Sequence, residues 1–285
     1  MDQRIINLFD EYTHKPLTRE DFIRKLSKLT GSTAAALAVL PLLEVNYAKA
    51  ETVPDQDDRL TTAHITYPID GGDMKAYIAR PKKSVTYGGV VVIHENRGLN
   101  PHIEDVTRRV ALEGFVAIAP DALSPLGGTP SDPDKARDMF QQLDAAKTIS
   151  NFAKAFDFLK TQKDCNGKFG CVGFCWGGAM ANNLAVQVSE LKAAVPFYGR
   201  QPEVNDVPKI KAALQLHYAE MDERINAGIS AYEEALKKAN VNYQLFIYEG
   251  AQHAFHNDTA PTRYNEAAAK LAWSRTIAFF NEKLR

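Results

Sequence analysis
The sequence predicts an α/β fold, a mostly parallel sheet with helices on both faces, behind a helical N-terminal extension. Three observations point there. From residue 61 to the C-terminus, apolar strand-like runs alternate with helical patterns, as in strand–helix–strand crossovers. One of these runs, residues 168–172, passes through Gly173-Phe174-Cys175-Trp176-Gly177-Gly178 directly into a helical pattern at 179–186. The composition, 285 residues with 45% hydrophobic and 24% charged side chains, suits one domain able to bury a large core.

The elements follow in order. Residues 61–67 read as a strand, 69–73 (Ile69-Asp70-Gly71-Gly72-Asp73) as a hairpin turn, and 74–80 as the second strand. Residues 89–94 form an apolar strand, and 102–113 a helix. The Gly/Pro-bearing stretch 124–133 is expected to be a loop near the mouth of a pocket. A helix at 144–162 precedes the strand at 168–172. A strand at 212–218, a helix at 227–239, an alternating strand at 241–248 and a helix at 265–283 complete the domain. There is no internal repeat and no low-complexity tract.

Residues 1–60 carry two readings. The apolar stretch 31–43 follows Arg24, Lys25 and Lys28 and precedes Ala48-Lys49-Ala50, the order of a secretory signal and its cleavage site. Thr18–Arg24 has the outline of a twin-arginine signal, but Glu20 stands where the second arginine belongs, and that charge reversal speaks against this route. The apolar run is too short for a membrane anchor and is interrupted by Pro41. Three cysteines, an odd number clustered at 165, 171 and 175, do not suggest a secreted disulfide framework. The expectation is a retained helical segment packing on the domain or on a second subunit of a homo-oligomer, in a cytoplasmic protein. Export, with residues 1–50 acting as a signal, is the alternative.

The chemistry centres on Cys175. A strand, a G-x-nucleophile-x-G turn and a helix form a nucleophile elbow, here with cysteine as the nucleophile. The flanking glycines let strand and helix approach closely, and the helix N-terminus aims N–H groups at the site, favouring a thiolate and an oxyanion. A small buried cysteine in a glycine-rich turn is the plainer alternative, and the downstream residues weigh against it. After the strand at 212–218 comes Ala219-Glu220-Met221-Asp222-Glu223-Arg224, and after the strand at 241–248 comes Glu249-Gly250-Ala251-Gln252-His253-Ala254-Phe255. Asp222 is the expected acid and His253 the expected base, which would accept the thiol proton and later protonate the leaving group. Glu220, Glu223 and Glu249 are rivals for the acid; His217 and His256 are rivals for the base, His217 being expected in or beside the core. Glu95 stands at the C-terminal end of its strand, where sites gather in open α/β sheets. A carboxylate there either disfavours a nearby thiolate or accepts the thiol proton, depending on distance; a helix-capping acid is the plainer alternative.

Together with Ile93-His94-Glu95-Asn96-Arg97-Gly98-Leu99-Asn100, Ala119-Pro120-Asp121 and Pro196-Phe197-Tyr198-Gly199, these motifs resemble the dienelactone hydrolases (carboxymethylenebutenolidase-like proteins) of the α/β-hydrolase superfamily. The resemblance runs from about Thr61 to the C-terminus. It implies an α/β-hydrolase fold, hydrolysis of carboxylic esters or lactones, and a Cys175–His253–Asp222 triad. It further implies that Glu95 contacts the resting thiol and helps control its ionisation, that the backbone N–H groups of Trp176 and Asn96 form the oxyanion hole, and that Tyr198 lies near the substrate. One departure matters. Relatives that handle the acidic lactone carry an arginine four residues after the histidine, whereas Asn257 stands here. The dienelactone itself is therefore not the expected substrate. Arg97, Arg200 and Arg263 are candidates for a replacement cation, each also readable as an ordinary surface arginine.

Other classes are disfavoured. A net charge of −1 gives no field to attract nucleic acid or an anionic membrane. No metal or cofactor is expected: the cysteine spacings form no C-x-x-C pair, and His94-Glu95 lacks the second histidine of H-E-x-x-H because Gly98 occupies that position. A thiol redox or transfer protein using Cys175 with Cys171 or Cys165, and a non-catalytic module assembled through its N-terminal segment, are the remaining alternatives.

Overall fold
The computed structural model describes residues 1–45, 51–83 and 85–285; the Ala48-Lys49-Ala50 pattern lies outside the described residues. Leu60–Ile69 (β1) turns back through Gly71, whose φ of 89° favours glycine, into Gly72–Pro81 (β2). Tyr87–Ile93 (β3), Phe115–Pro120 (β4), Cys165–Phe174 (β5), Ala193–Phe197 (β6), Ala213–Ala219 (β7) and Tyr243–Tyr248 (β8) complete one eight-stranded sheet. Its spatial order is β1-β2-β4-β3-β5-β6-β7-β8. β2 is antiparallel to both neighbours, and every pairing from β4 to β8 is parallel.

Alternation along β3 divides the core. Val90 and Val92 pack on one face with Ile103, Val106 and Val110 of Pro101–Leu112 (α4) and Phe279 and Phe280 of Glu266–Leu284 (α10). Val91 and Ile93 meet Phe152 and Phe156 of Ala145–Lys160 (α6), Met180 and Leu184 of Trp176–Gln187 (α7), and Leu236 of Ile229–Lys238 (α9) on the other. Burial of each such side chain stabilises by about 1.5–3 kcal/mol before entropy is counted. The expected α/β architecture is thus present, a parallel-rich sheet covered on both faces. β4 and β6 are short, wholly apolar runs, for which periodicity does not separate strand from helix. The stretch expected to be a loop at 124–133 contains a 3-10 turn, Ser124–Leu126, and ends where Pro133–Phe140 (α5) begins.

The N-terminal extension is helical. Gln3–His14 (α1) is capped by Asp2, Arg19–Thr30 (α2) by Thr18, and Thr33–Leu43 (α3) by Ser32. Pro41 does not end α3; it lies in the last turn, where its missing N–H leaves the Leu37 carbonyl without that helical bond. Phe9, Tyr12, Phe22, Leu26, Leu40 and Leu43 close a separate small core. No single described helix is long and apolar enough to cross a membrane; α2 and α3 pass such a test only together, across a bend of 110°. α1 lies on the domain. Gln3 and Gln252 exchange side-chain hydrogen bonds at 2.9 and 2.7 Å, the Tyr12 hydroxyl donates to Asp134 at 2.9 Å, and Asn96 Nδ2 donates to the Thr13 carbonyl at 2.7 Å.

Candidate active site
The C-terminal ends of the parallel strands carry the site, as expected for an open α/β sheet. Glu95 follows β3, Cys175 follows β5, Tyr198 follows β6, Asp222 follows β7 and His253 follows β8. Cys175 has φ 57° and ψ −112°, and Tyr198 has φ 38°. For side chains with a Cβ such backbone is costly, of order 1–3 kcal/mol, and it persists only where the surroundings hold it. Two hydrogen bonds do so: Cys175 N–H to the Phe197 carbonyl at 3.0 Å, and Tyr198 N–H to the His217 carbonyl at 2.7 Å. The glycines of the turn are required by close approach. A Cβ at Gly173 would lie 1.9 Å from the Gly177 carbonyl oxygen, and one at Gly177 would lie 2.3 Å from that of Ile93.

Asp222 and His253 are brought together across 31 residues, with Oδ2 2.5 Å from Nδ1. Both are buried, and the second Asp222 oxygen caps the short helix Glu223–Asn226 (α8) by accepting from Ile225 N–H at 3.3 Å. His253 Nε2 is buried and has no hydrogen-bond partner. The rival acids are exposed: Glu220 accepts from Gly250 N–H, and Glu223 and Glu249 lie at the surface. The rival histidines belong to the core. His217 is bonded to Tyr248 and Gln215, and burial holds its pKa well below the usual range. His256 stacks on Phe174, and burial, helped by Arg109 and His102, pushes its pKa down to about 3.

Glu95 is buried. Its Oε2 accepts from Asn257 Nδ2 at 2.8 Å, while Oε1 has no partner. Tyr198 is buried with its ring 5.0 Å from that of His253 and its hydroxyl unbonded. Burial, then Glu95 and Cys175, hold the Tyr198 phenol well above its usual pKa, so it stays a neutral donor. Trp176 is the first residue of α7, and Asn96 follows Glu95 in the loop after β3. Of the arginines, Arg97 is bonded to Asp134 at 3.1 Å, and Arg200 is exposed at the rim of a second cleft beside Cys175. Arg263 is buried with its guanidinium 5.2 Å from the Phe9 ring centroid. Its Nε is unbonded, and among the described residues no carboxylate pairs with it. A cavity of about 870 Å³ is lined by Glu95, Cys175, His253 and Arg263 from the domain, and by Phe9 and His14 from α1.

His14 has no counterpart in the sequence-based expectation. Its Nε2 lies 3.1 Å from Cys175 Sγ, and its ring stands edge-on to His253 with centroids 4.7 Å apart. The Asp10–His14 spacing, one helical turn on an amphipathic helix, was the available signal, but nothing local says which surface α1 meets. Among the described residues, the one cluster of three metal-capable side chains is His14, Cys175 and His253, whose relevant atoms lie within 4.8 Å of one another. All three side chains line the same cavity.

Fold and strained elbow together define an α/β-hydrolase, with Cys175 at the turn between β5 and α7. The sequence profile of the dienelactone hydrolase family matches residues 74–284. The chain belongs to that family. It is 31% identical over 253 residues to a provisionally named carboxymethylenebutenolidase of Saccharolobus solfataricus, covering 75% of this chain and 96% of that protein. An Escherichia coli O157:H7 protein of the same provisional name is 32% identical over 247 residues, covering 81% of this chain and 90% of that one. Among solved structures, a provisionally named dienelactone hydrolase from Klebsiella pneumoniae superposes with a TM-score of 0.71 at 28% identity, covering 78% of this chain and 98% of that one. A dienelactone hydrolase-like promiscuous phosphotriesterase from metagenomic libraries gives 0.72 at 25% identity, covering 80% and 100%.

Proposed function
We propose that this hydrolase cleaves carboxylic esters or lactones by covalent catalysis at Cys175, with His253 and Asp222 as its base and orienting acid. The observation that carries the reading is the Asp222–His253 bond of 2.5 Å, which leaves a buried, unbonded Nε2 facing the cavity that Cys175 also lines. The carboxylate on Nδ1 fixes the tautomer, so that Nε2 is the acceptor. The Cys175 thiolate attacks the carbonyl carbon, and the oxyanion is received by the backbone N–H groups of Trp176 and Asn96, each such donor lowering the barrier by roughly 3 kcal/mol in comparable sites. The carbon–oxygen bond to the alcohol breaks, the departing oxygen takes the proton that the thiol gave up, and His253 Nε2 takes a proton from the water that hydrolyses the thioester and returns it to the sulfur. Tyr198 can donate to a substrate oxygen.

Arg263 takes the part of a substrate-carboxylate receptor in this reading, in place of the arginine that Asn257 replaces. Its burial and lack of a carboxylate partner support that choice over Arg97, which is committed to Asp134, and over the exposed Arg200. The hydrogen bonds from α1 to the domain support an N-terminal segment that stays with the domain in the working protein. The other thiols do not support a redox reading: burial, with Asp164 adding to it, pushes Cys165 up to about 12, and burial raises Cys171 further.

The test is turnover of short-chain aryl esters and simple lactones by wild type, Cys175→Ala and Asp222→Asn. Activity abolished in Cys175→Ala and reduced about 10²-fold or more in Asp222→Asn is the expected result. Wild-type rates in Cys175→Ala would sink the assignment of the nucleophile.

A further inference from the structure
The described structure gives the Cys175 thiol one hydrogen-bond partner, and it is the histidine of α1, not His253. His14 Nδ1 faces three oxygens, the Asp10 backbone carbonyl at 2.9 Å, the Thr13 hydroxyl at 3.0 Å and Asp10 Oδ1 at 3.1 Å. The Asp10 oxygens are acceptors and the Thr13 hydroxyl donates its own hydrogen to the Asp10 carbonyl at 3.0 Å, so Nδ1 carries the ring proton and Nε2 accepts from the thiol. Asp10 Oδ2 is in turn near Arg224 Nε, at 3.4 Å, which ties the arrangement to α8 of the hydrolase domain. The sulfur therefore lies between two imidazoles, each backed by a carboxylate through Nδ1, one on the N-terminal helix and one on the loop after β8.

We propose that His14 is a catalytic residue, the resting-state base for Cys175, and that α1 is a working wall of the active site. The inference rests on Cys175 being the nucleophile. In the step assigned to His14, the S–H bond breaks, the proton passes to Nε2, and a thiolate–imidazolium pair forms with Asp10 holding the positive charge. After the thiolate attacks the ester carbonyl, the same proton goes to the departing alkoxide as the carbon–oxygen bond breaks, returning His14 to its neutral form. His253, already committed to Asp222, is then left to activate the water that releases the acyl group. The division uses both imidazoles without asking one ring to reach thiol, leaving group and water in turn.

The electrostatics agree. Burial works against an imidazolium at His14, but the Cys175 charge and the Asp10 hydrogen bond outweigh it and raise the pKa, with His253 opposing. The charged and titratable groups around His14 include Asp10 on its own helix, Cys175 on the elbow, His253 backed by Asp222, Arg224 behind Asp10, and Glu95 and the buried Arg263 in the shared cavity. Asp10 is itself held well below the usual carboxylate range: burial is overcome by its hydrogen bond to His14 and by His253, His14 and Arg224.

The decisive measurement is the pH dependence of Cys175 alkylation by iodoacetamide, in the full chain with EDTA present, for wild type, His14→Gln and Asp10→Asn. Cys175→Ala serves as the blank for the other two thiols. Because alkylation needs no substrate, it reports on His14 whatever the ester assay gives. His14→Gln is expected to move the alkylation midpoint upward by about one unit or more. With an aryl ester it is expected to lower kcat about tenfold or more with little change in KM, partly restored by added imidazole in His14→Ala. Asp10→Asn shifts both in the same direction by less, and circular dichroism confirms that each variant is folded. An unchanged alkylation profile in folded His14→Gln overturns the proposal. So does faster ester turnover in that variant, which would make α1 a plug. Wild-type turnover in Cys175→Ala would instead overturn the nucleophile assignment itself.

Discussion

Asn257 Nδ2 donates to Glu95 Oε2 at 2.8 Å, and the other oxygen of that buried carboxylate has no partner. Where the resemblance expects a cation, this chain puts a neutral amide and spends its hydrogen bond on the acid. Position 257 thus brings no positive charge to Glu95, which lines the same cavity as Cys175. Glu95→Gln keeps an acceptor for Asn257 and removes the charge. Alkylation of Cys175 at pH 7 should then accelerate about three- to tenfold, since a like charge beside the thiolate is gone. A rate equal to wild type would mean that Glu95 does not act on the sulfur.

Arg263 should reveal itself through a ratio. In Arg263→Gln, KM for an aryl ester carrying a free carboxylate should rise about tenfold or more relative to that for a neutral ester of the same length, because a charge-assisted bond is lost only for the former. Comparing two substrates on one protein cancels any loosening of α1 from the missing contact with Phe9. Equal KM changes for both would remove Arg263 from substrate recognition.

His256 predicts a form of acid lability. Burial, then Arg109 and His102, lower its folded pKa to about 3, whereas in the unfolded chain it is about 6.5. Between these values the unfolded state binds a proton that the folded state refuses, so stability falls as pH drops below about 6.5 and is fully present above it. From pH 6.5 to 5 this one group costs about 2 kcal/mol. His256→Phe removes the titration and keeps an aromatic ring against Phe174. Urea unfolding at both pH values should show a smaller loss for the variant; parallel losses would mean that His256 is not the sensor.

Much of the domain was legible because its signals are local. The hairpin turn at Gly71 and the elbow glycines are short-range steric requirements, and α4, α6 and α10 show helical periodicity to within two residues of their ends. The pairing of Asp222 with His253 was legible as a choice among rivals, and exposure separates them: the competing acids face solvent, while the competing histidines fill the core. β4 and β6 were harder, since an apolar run buried on both faces carries no period. The replacement cation was open among three arginines, and only their packing distinguishes them.

The fold class and the glycine-flanked cysteine turn are legible in sequence, because each is written in residues that are neighbours or that repeat with a fixed period. The approach of His14 to Cys175 was decided by tertiary structure alone. These residues are 161 positions apart, and their meeting depends on where a short amphipathic helix docks. That docking is set by scattered contacts, Gln3 with Gln252, Tyr12 with Asp134 and Thr13 with Asn96, each too weak and too ordinary in sequence to foretell the surface it joins.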